Sequence, residues 1–213
     1  MSHVKNYNVG QIQLDLPTSN YFHELPLLTF GDIHGNMNLS LIFNYVMKVR
    51  SSNPFNVTDG FKLNVHKRII MSNGVPSKFQ NENGKEITLT GTNSVYTFDD
   101  ESQRILRYNN SMYELENADY SKEVYTSDGK ITAVYDKYGV VILSYVYDTA
   151  GKLTYVTYRN SKTISFAYDA YSRITSITYG NSTTTLAYTS SGITVNHYSG
   201  TMIDLTIDRK SVG

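Results

Sequence analysis

Asp32 and His34 are the residues whose types and spacing best suit metal chemistry. They lie one residue apart in the glycine-flanked segment 31–36, and carboxylates and imidazoles both bind divalent metal ions. Two metal ions at such a place could activate a water molecule and hold a phosphoryl group for hydrolysis. Apolar residues at helical spacing follow between positions 39 and 49, and they are compatible with a helix directly after the motif.

The segment resembles the first metal-binding motif of the calcineurin-like metallophosphoesterases, but the other motifs of that family are missing. The chain has no second Gly-Asp, and its two Gly-Asn pairs, at 35–36 and 180–181, are not followed by histidine. One aspartate and one histidine cannot hold two metal ions. We therefore interpret residues 31–36 as a tight turn in which Asp32 and Asn36 bind local amides. We assign no catalytic, metal-binding or cofactor-binding residue, and we keep a metallophosphoesterase as one alternative.

A second pattern is a repeat of tyrosine, aspartate, glycine and a basic residue. Its leading tyrosines are 22, 21 and 20 residues apart, and a near-constant period of this size predicts a repeat architecture. In chain order the motif residues of the four copies are Tyr125, Gly129 and Lys130; Tyr147, Asp148, Gly151 and Lys152; Tyr168, Asp169 and Arg173; and Tyr188 and Gly192.

Each repeat unit predicts a β-hairpin. Residues 153–158 are rich in β-branched and aromatic residues, which favour strands. In the return strand, residues 163–168, the large side chains Ile164, Phe166 and Tyr168 alternate with small ones. A period of two places them on one face of a strand. Stacked units should therefore form one apolar face and one small, polar face.

The motif segment that connects one hairpin to the next has the residue types of a turn. The Asp side chain can accept backbone amides two residues further on, and Gly adopts positive φ without steric cost. The Lys or Arg that follows can lie over an aromatic ring. Because each motif residue already has a structural role, we interpret the motif as a device for chain reversal.

These residues resemble the YD-repeat, or Rhs, family, of which residues 147–153 form a near-consensus copy. The departures from its pattern are Ser172 for Gly, Thr189 for Asp and Ile193 for the basic residue, while Asp128 is next to the Gly of its copy. Segments 35–45, 59–65 and 68–70 resemble the strands that open the repeat region in this family, so the resemblance covers about residues 28–200.

The resemblance implies an all-β fold, with successive hairpins in one continuous, curved sheet that forms an incomplete Rhs-type shell. It also implies a structural scaffold or encapsulating wall of a bacterial, polymorphic toxin-type protein, without catalytic activity. Expected partners are further YD-repeat segments and a toxin domain as cargo. The alternative from another class is a carbohydrate or cell-surface binding module that uses exposed tyrosines.

Composition excludes several other classes of function. The chain has 213 residues, with 19 Lys and Arg against 19 Asp and Glu, so its charge gives no reason to expect nucleic acid or an anionic membrane as a partner. It has no cysteine, which excludes disulfides and thiolate metal sites. A mildly basic stretch, which we interpret as a solvated face, contains Lys62, His66, Lys67 and Arg68.

No run of 18 apolar residues and no apolar core of a signal peptide occurs in the sequence. We expect no membrane span. The location stays open between secretion or cell-surface display by a route without a signal peptide and the cytoplasm before export.

The tyrosines divide the chain into two regions, because 16 of the 19 lie after residue 95. We expect a lead-in with the opening strands over residues 1–75, irregular up to about residue 26, and the repeat sheet over residues 76–213. Residues 201–207 alternate polar and apolar side chains and predict a last strand with an empty edge. Such an edge should pair with another chain, so we expect self-association or a partner there.

Overall fold

The computed structural model describes residues 7–8, 11–13, 22–32, 35–44, 61–159, 162–189 and 192–206. Within this range the chain contains no helix, and therefore none that could cross a membrane. Its strands are β1 Tyr7–Asn8, β2 Gln11–Gln13, β3 Phe22–Asp32, β4 Gly35–Asn44, β5 Phe61–Leu63, β6 Arg68–Ser72, β7 Val75–Gln80, β8 Glu86–Thr92, β9 Val95–Phe98, β10 Ile105–Asn109, β11 Met112–Glu116, β12 Lys122–Thr126, β13 Ile131–Tyr135, β14 Val141–Tyr147, β15 Leu153–Tyr158, β16 Lys162–Tyr168, β17 Ile174–Tyr179, β18 Ser182–Tyr188, β19 Gly192–Asn196 and β20 Met202–Thr206.

One long sheet contains β6 to β20 in sequence order. Each of these strands pairs antiparallel with the next, from β6–β7 through β19–β20. Beyond β20 the sheet continues with β2, which is parallel to β20, and then with β1, which gives 17 strands. The predicted all-β fold of consecutive hairpins in a continuous sheet is confirmed.

The long sheet curves so that its first strand, β6, contacts the turn between β12 and β13. The amide of Ile69 in β6 donates to the carbonyl oxygen of Gly129 in the β12–β13 turn at 2.9 Å, and Arg68 forms an antiparallel bridge with Lys130. This contact is local, and the long sheet is not closed.

Side chains alternate between the two faces of the sheet as the period of two predicts. On β16, Ile164 and Phe166 are buried, whereas Thr163 and Ala167 are exposed. The same alternation buries Leu143 and Tyr145 on β14, Thr184 and Leu186 on β18, and equivalent residues on the neighbouring strands. The sheet therefore has an apolar concave face and a convex face of mainly small or polar side chains, on which Val146 and Tyr155 are exposed exceptions.

A three-stranded sheet of β3, β4 and β5 lies against this apolar face. Its buried side chains, which include Leu27, Leu39 and Phe61, belong to one continuous core with those of the long sheet. The Thr184 hydroxyl of β18 donates to the carbonyl oxygen of Leu27 at 3.0 Å. The chain's own N-terminal sheet thus covers part of the concave face.

Two expectations about the chain's N-terminal and C-terminal parts differ from the structure. Residues 1–26 are not wholly irregular, because β1, β2 and the start of β3 lie within them. The edge of β20 is not empty, since Gln11–Gln13 pairs with residues 204–206. A strand of three residues carries no detectable periodicity, which is why the sequence did not reveal it. The long sheet starts at Arg68, before the boundary expected at residue 75, and that boundary stays a prediction.

Candidate functional site: motif turns, tyrosine contacts and a buried ionic cluster

Seven hairpin turns of the long sheet share one backbone geometry. In each, the amide of the first residue donates to the carbonyl of the fifth, and the amide of the fourth donates to the carbonyl of the first. The fourth residue has a left-handed backbone. Together these features define a three-residue hairpin loop with a bulge. The turns are residues 81–85, 117–121, 126–130, 136–140, 148–152, 169–173 and 197–201.

The motif aspartates stabilise these turns through their carboxylates. Asp148 Oδ1 accepts the amide of Lys152 at 2.8 Å, and Asp169 Oδ1 accepts the amide of Arg173 at 2.8 Å. In the first copy, which has no aspartate at this position, the Thr126 hydroxyl oxygen accepts from the amide of Lys130 at 2.9 Å. One acceptor at the start of the turn therefore satisfies the amide at its end.

The fourth position of the turn explains the motif glycine. Gly129 and Gly151 have φ values of 88° and 79°, and Ser172 adopts 63° in the copy that lacks glycine. Positive φ of this kind favours glycine, because a Cβ atom adds strain. The departure at Ser172 changes the side chain without changing the geometry of the turn.

Each of the first three copies has a β-bulge next to its turn. The ladder register shifts directly before Tyr125, Tyr147 and Tyr168. In each bulge one extra residue lies on the strand that follows the turn. Two of these extra residues are threonines: the hydroxyl of Thr132 donates to the carbonyl of Val124 at 3.0 Å, and that of Thr154 donates to the carbonyl of Val146 at 2.8 Å. These bulges increase the local twist of the sheet.

The motif tyrosines link one repeat to the strand before it. The hydroxyl of Tyr147 donates to the carbonyl of Ile131 at 2.9 Å, that of Tyr168 to Leu153 at 2.5 Å, and that of Tyr188 to Ile174 at 2.6 Å. The carbonyls lie just beyond the point where the backbone ladder between the two strands stops. We call these three contacts the tyrosine ladder. Each hydroxyl therefore continues the pairing of its own strand with the preceding strand past the end of their backbone ladder.

Burial raises the pKa of these three tyrosines well above the ordinary value of 10.0. For Tyr147 the hydroxyl of Tyr168 and the carboxylate of Asp128 add to the effect, and for Tyr168 the carboxylate of Asp148 does so. For Tyr188 the charge of Arg173 opposes the rise without cancelling it. The tyrosines therefore stay protonated hydrogen-bond donors throughout the physiological pH range.

The basic residue of one copy lies over the tyrosine of the next. The Lys152 ammonium is 5.4 Å from the ring centroid of Tyr168, and the Arg173 guanidinium is 4.3 Å from that of Tyr188. Both distances are within the range of cation–π attraction. Lys130 instead pairs with Asp128 at 2.7 Å.

The last copy differs from the others at its turn. Thr189 donates its amide to the carbonyl of Gly192 at 3.0 Å, so this turn is one residue shorter than the seven. Gly192 is the first residue of β19 and pairs with Thr206. Gly192 therefore lies at the last position of its turn, where the other copies have the basic residue. The sequence pattern predicts that it lies one position earlier, as the glycine of the motif.

The sequence pattern missed one copy of the motif, which has Val140 in place of the basic residue. Tyr135, Asp136 and Gly139 form a turn at the opposite end of the sheet, where Asp136 Oδ1 accepts the amide of Val140 at 2.9 Å and Gly139 has φ 80°. Its Tyr-Asp-x-x-Gly sequence is sufficient to identify it as a copy of the motif. It lies outside the register of 20–22 residues because consecutive turns alternate between the two ends of the strands.

The tyrosine of the first copy belongs to a buried ionic cluster. Tyr125 is fully buried, and its hydroxyl donates to Glu123 Oε2. The other oxygen of Glu123 accepts from the Lys67 ammonium at 2.7 Å, and Lys67 also lies 3.8 Å from a carboxylate oxygen of Glu82. Burial, with the nearby charge of Glu123, raises the pKa of Tyr125 and of Tyr145.

Lys62 and His66 are also buried, which corrects their interpretation as part of a solvated basic face. The Lys62 ammonium donates to the carbonyls of Asn81 and Glu82 at 2.5 and 3.0 Å, and its burial lowers its pKa to about 7. Burial and the charge of Lys62 lower the pKa of His66 to about 3. The sequence does not reveal the burial of Lys62. The apolar residues Phe61 and Leu63 flank it, but a polar residue between apolar neighbours is not by itself a sign of burial.

Segment 31–36 contains the end of β3 and the start of β4. Asp32 ends β3 and pairs with Gly35, the first residue of β4, while Ile33 and His34 lie outside the described residues. The residues after the motif form a strand up to Asn44, where a phosphoesterase would need a helix. In the described parts of the chain, no three His, Cys, Asp or Glu side chains come together as a metal site.

Comparison with known families agrees with this architecture. The family model of the teneurin YD-shell matches residues 33–196, which is more than half of the chain. A search among curated proteins gave no match. The chain belongs to the YD-shell family, and the sequence resemblance to YD-repeat proteins is confirmed. Membership of a family of shell domains suggests a structural role and not an enzymatic one.

Proposed function

We propose that this chain is a segment of the wall of an Rhs-type YD-repeat shell and has no catalytic activity of its own. The observation that carries the proposal is the use of the motif side chains. The aspartates accept turn amides, the tyrosines bond to the preceding strand, and two basic residues lie over the tyrosine of the following copy. Side chains engaged in this way hold hairpins together.

The two faces of the sheet support the same function. The concave face is apolar and packed, whereas the convex face of β15 to β18 is rich in threonine and serine. Thr157 and Thr163 are hydrogen-bonded across strands at 3.1 Å, as are Thr178 and Thr183. A sheet with one packed and one solvated face suits a wall between an interior and water.

The finer part of the proposal concerns what the wall encloses. We infer a polymorphic toxin-type protein in which further YD-repeat segments extend this sheet and a toxin domain is the cargo. Its support is the resemblance of the repeats and the open, curved form of the sheet.

The test is isolation of the tagged chain from the cells that make it, followed by native mass spectrometry and electron microscopy. We expect a hollow β-shell in which further Tyr-Asp repeats, on the same or another polypeptide, continue this sheet. A particle of only 24.1 kDa that turns over a substrate would contradict the proposal.

A carbohydrate-binding module is the second candidate, because several tyrosines in the turns are open to solvent. Tyr138 and Tyr171 are 79% and 81% exposed, and they occupy the same position in turns 136–140 and 169–173. Aromatic rings with one apolar face can stack on sugars. A glycan array on the wild type and on Tyr138→Ala/Tyr171→Ala tests it: binding that the double substitution abolishes would favour this candidate, and an empty array would reject it.

A further inference from the structure

The segment that joins the N-terminal sheet to the long sheet contains two buried cationic residues. Residues 61–67 lead from β5 to β6. Lys62 is fully buried and His66 is 7% exposed. Buried lysine and histidine are unusual, because desolvation disfavours their charged forms.

Lys62 connects the two sheets directly. It lies on β5, and its Nζ, which carries N–H donors in the neutral form as well as in the charged form, donates to the carbonyls of Asn81 and Glu82 in the β7–β8 turn. The segment is further attached to the N-terminal sheet through Asn64, whose amide donates to Ser40 O at 3.0 Å and whose side chain donates to Asn38 O at 2.8 Å. Movement of this segment would therefore move the N-terminal sheet relative to the long sheet.

The charges around the segment are mainly positive. Glu82 attracts Lys62, whereas Lys67 and Arg68 repel it, and His66 faces Lys62. The two carboxylates nearest the segment, Glu82 and Glu123, both interact with Lys67, and Glu123 also accepts from Tyr125. A further proton at His66 or Lys62 therefore adds positive charge to a buried site that is already cationic.

We propose that segment 61–67 is an acid-sensitive joint, at which protonation of His66 and Lys62 loosens the N-terminal sheet from the concave face while the long sheet stays folded. The tyrosine ladder adds side-chain hydrogen bonds between β13 and β14, β15 and β16, and β17 and β18, strands that backbone pairing already joins. The joint is a function beyond that of a wall, since it makes the cover of the concave face respond to pH.

The direction of the pH dependence follows from linkage. Both groups have lower pKa values in the folded protein than in the open form, so the open form binds more protons. For His66 the closed joint is fully favoured above pH 6.5 and loses stability down to about pH 3. For Lys62 the loss runs from pH 10.5 down to about pH 7. In each window the opening constant should rise by up to about tenfold per pH unit.

Hydrogen exchange with mass spectrometry on the full chain tests the joint, after correction for the intrinsic pH dependence of exchange. Between pH 6.5 and 4.5, protection of residues 22–44 should fall by up to about tenfold per unit, while residues 141–179 keep their protection. His66→Gln should flatten this fall. Lys62→Met should flatten the corresponding change between about pH 8.5 and 7.

Three results would overturn the proposal. These are pH-independent protection of residues 22–44 in the wild type, a parallel loss in residues 141–179, or an unchanged slope in both variants. The first two are measured on the wild type alone, so the test does not depend on the variants folding.

Discussion

The amide of Ile69 donates a 2.9 Å hydrogen bond to the carbonyl oxygen of Gly129. These residues are 60 positions apart in the chain, and their contact joins the first strand of the long sheet to the turn of the first motif copy. A Cβ atom on Gly129 would lie 2.1 Å from the carbonyl oxygen of Ile69. The glycine therefore permits both the left-handed turn and the close approach that fixes how tightly the sheet curves.

Gly129→Ala should be the most damaging alanine substitution in the motif turns. Backbone strain at positive φ costs about 1–3 kcal/mol, and at Gly129 the backbone of β6 must also move. Gly151→Ala should cost less, because its Cβ would meet only the flexible end of Lys130, at 2.9 Å. Urea unfolding measures both free energies, with Ser172→Ala as the control for a turn that already carries a side chain. Equal losses at positions 129 and 151 would show that the contact with Ile69 contributes nothing.

High pH should unfold the protein through the tyrosine ladder. The folded-state pKa values of Tyr147, Tyr168 and Tyr188 are raised above 10.0, so their contribution to stability is complete below pH 10. It is lost as the pH rises through the folded-state values. Absorbance at 295 nm and circular dichroism should report ionisation of these residues together with loss of structure above pH 10.5. Ionisation of all tyrosines at about pH 10 in a protein that keeps its fold would contradict this.

Removal of residues 1–20 should cause self-association. The truncated chain lacks β1 and β2 and exposes the edge of β20, and an open edge strand pairs with other chains. Light scattering at matched concentration should show a larger species for the truncated chain than for the full chain. A full chain that associates as strongly as the truncated one would place the association surface elsewhere.

Substitution of Asp32 or His34 should not affect any activity. We expect Asp32→Ala and His34→Ala to change stability only locally, and we expect purified protein to contain no stoichiometric manganese, iron or zinc. Metal analysis and hydrolysis of an aryl phosphate are the measurements. Metal-dependent turnover that either substitution abolishes would replace the structural proposal with the phosphoesterase.

The sequence predicted the parts of this fold that depend on local chemistry. The period of two identified the apolar face through residues such as Ile164 and Phe166, and turn chemistry identified the roles of Asp148 and Gly151. It did not predict the contact of Ile69 with Gly129 or the pairing of β2 with β20. Both join segments far apart in sequence, and neither leaves a periodic signal.

The candidate site shows the same division. The aspartates and glycines of the motif act within their own turns, so their roles follow from spacing alone. The acceptors of the tyrosine hydroxyls are carbonyls on another strand, and any residue type supplies a carbonyl. The buried pair Lys62 and His66 was missed for a related reason, because its burial depends on a sheet built from residues elsewhere in the chain.

The claim that the motif holds successive hairpins together is tested most directly on the tyrosine ladder as a whole. The triple variant Tyr147→Phe/Tyr168→Phe/Tyr188→Phe keeps the rings but leaves the carbonyls of Ile131, Leu153 and Ile174 without their donors. The matched control, Tyr138→Phe/Tyr155→Phe/Tyr171→Phe, removes three hydroxyls from exposed side chains. The free energy of unfolding in urea is measured for both. The ladder variant should lose about 3–6 kcal/mol, at about 1–2 kcal/mol for each broken hydrogen bond, and the control should lose almost nothing. Equal, small losses in the two variants would contradict a structural role for the motif tyrosines.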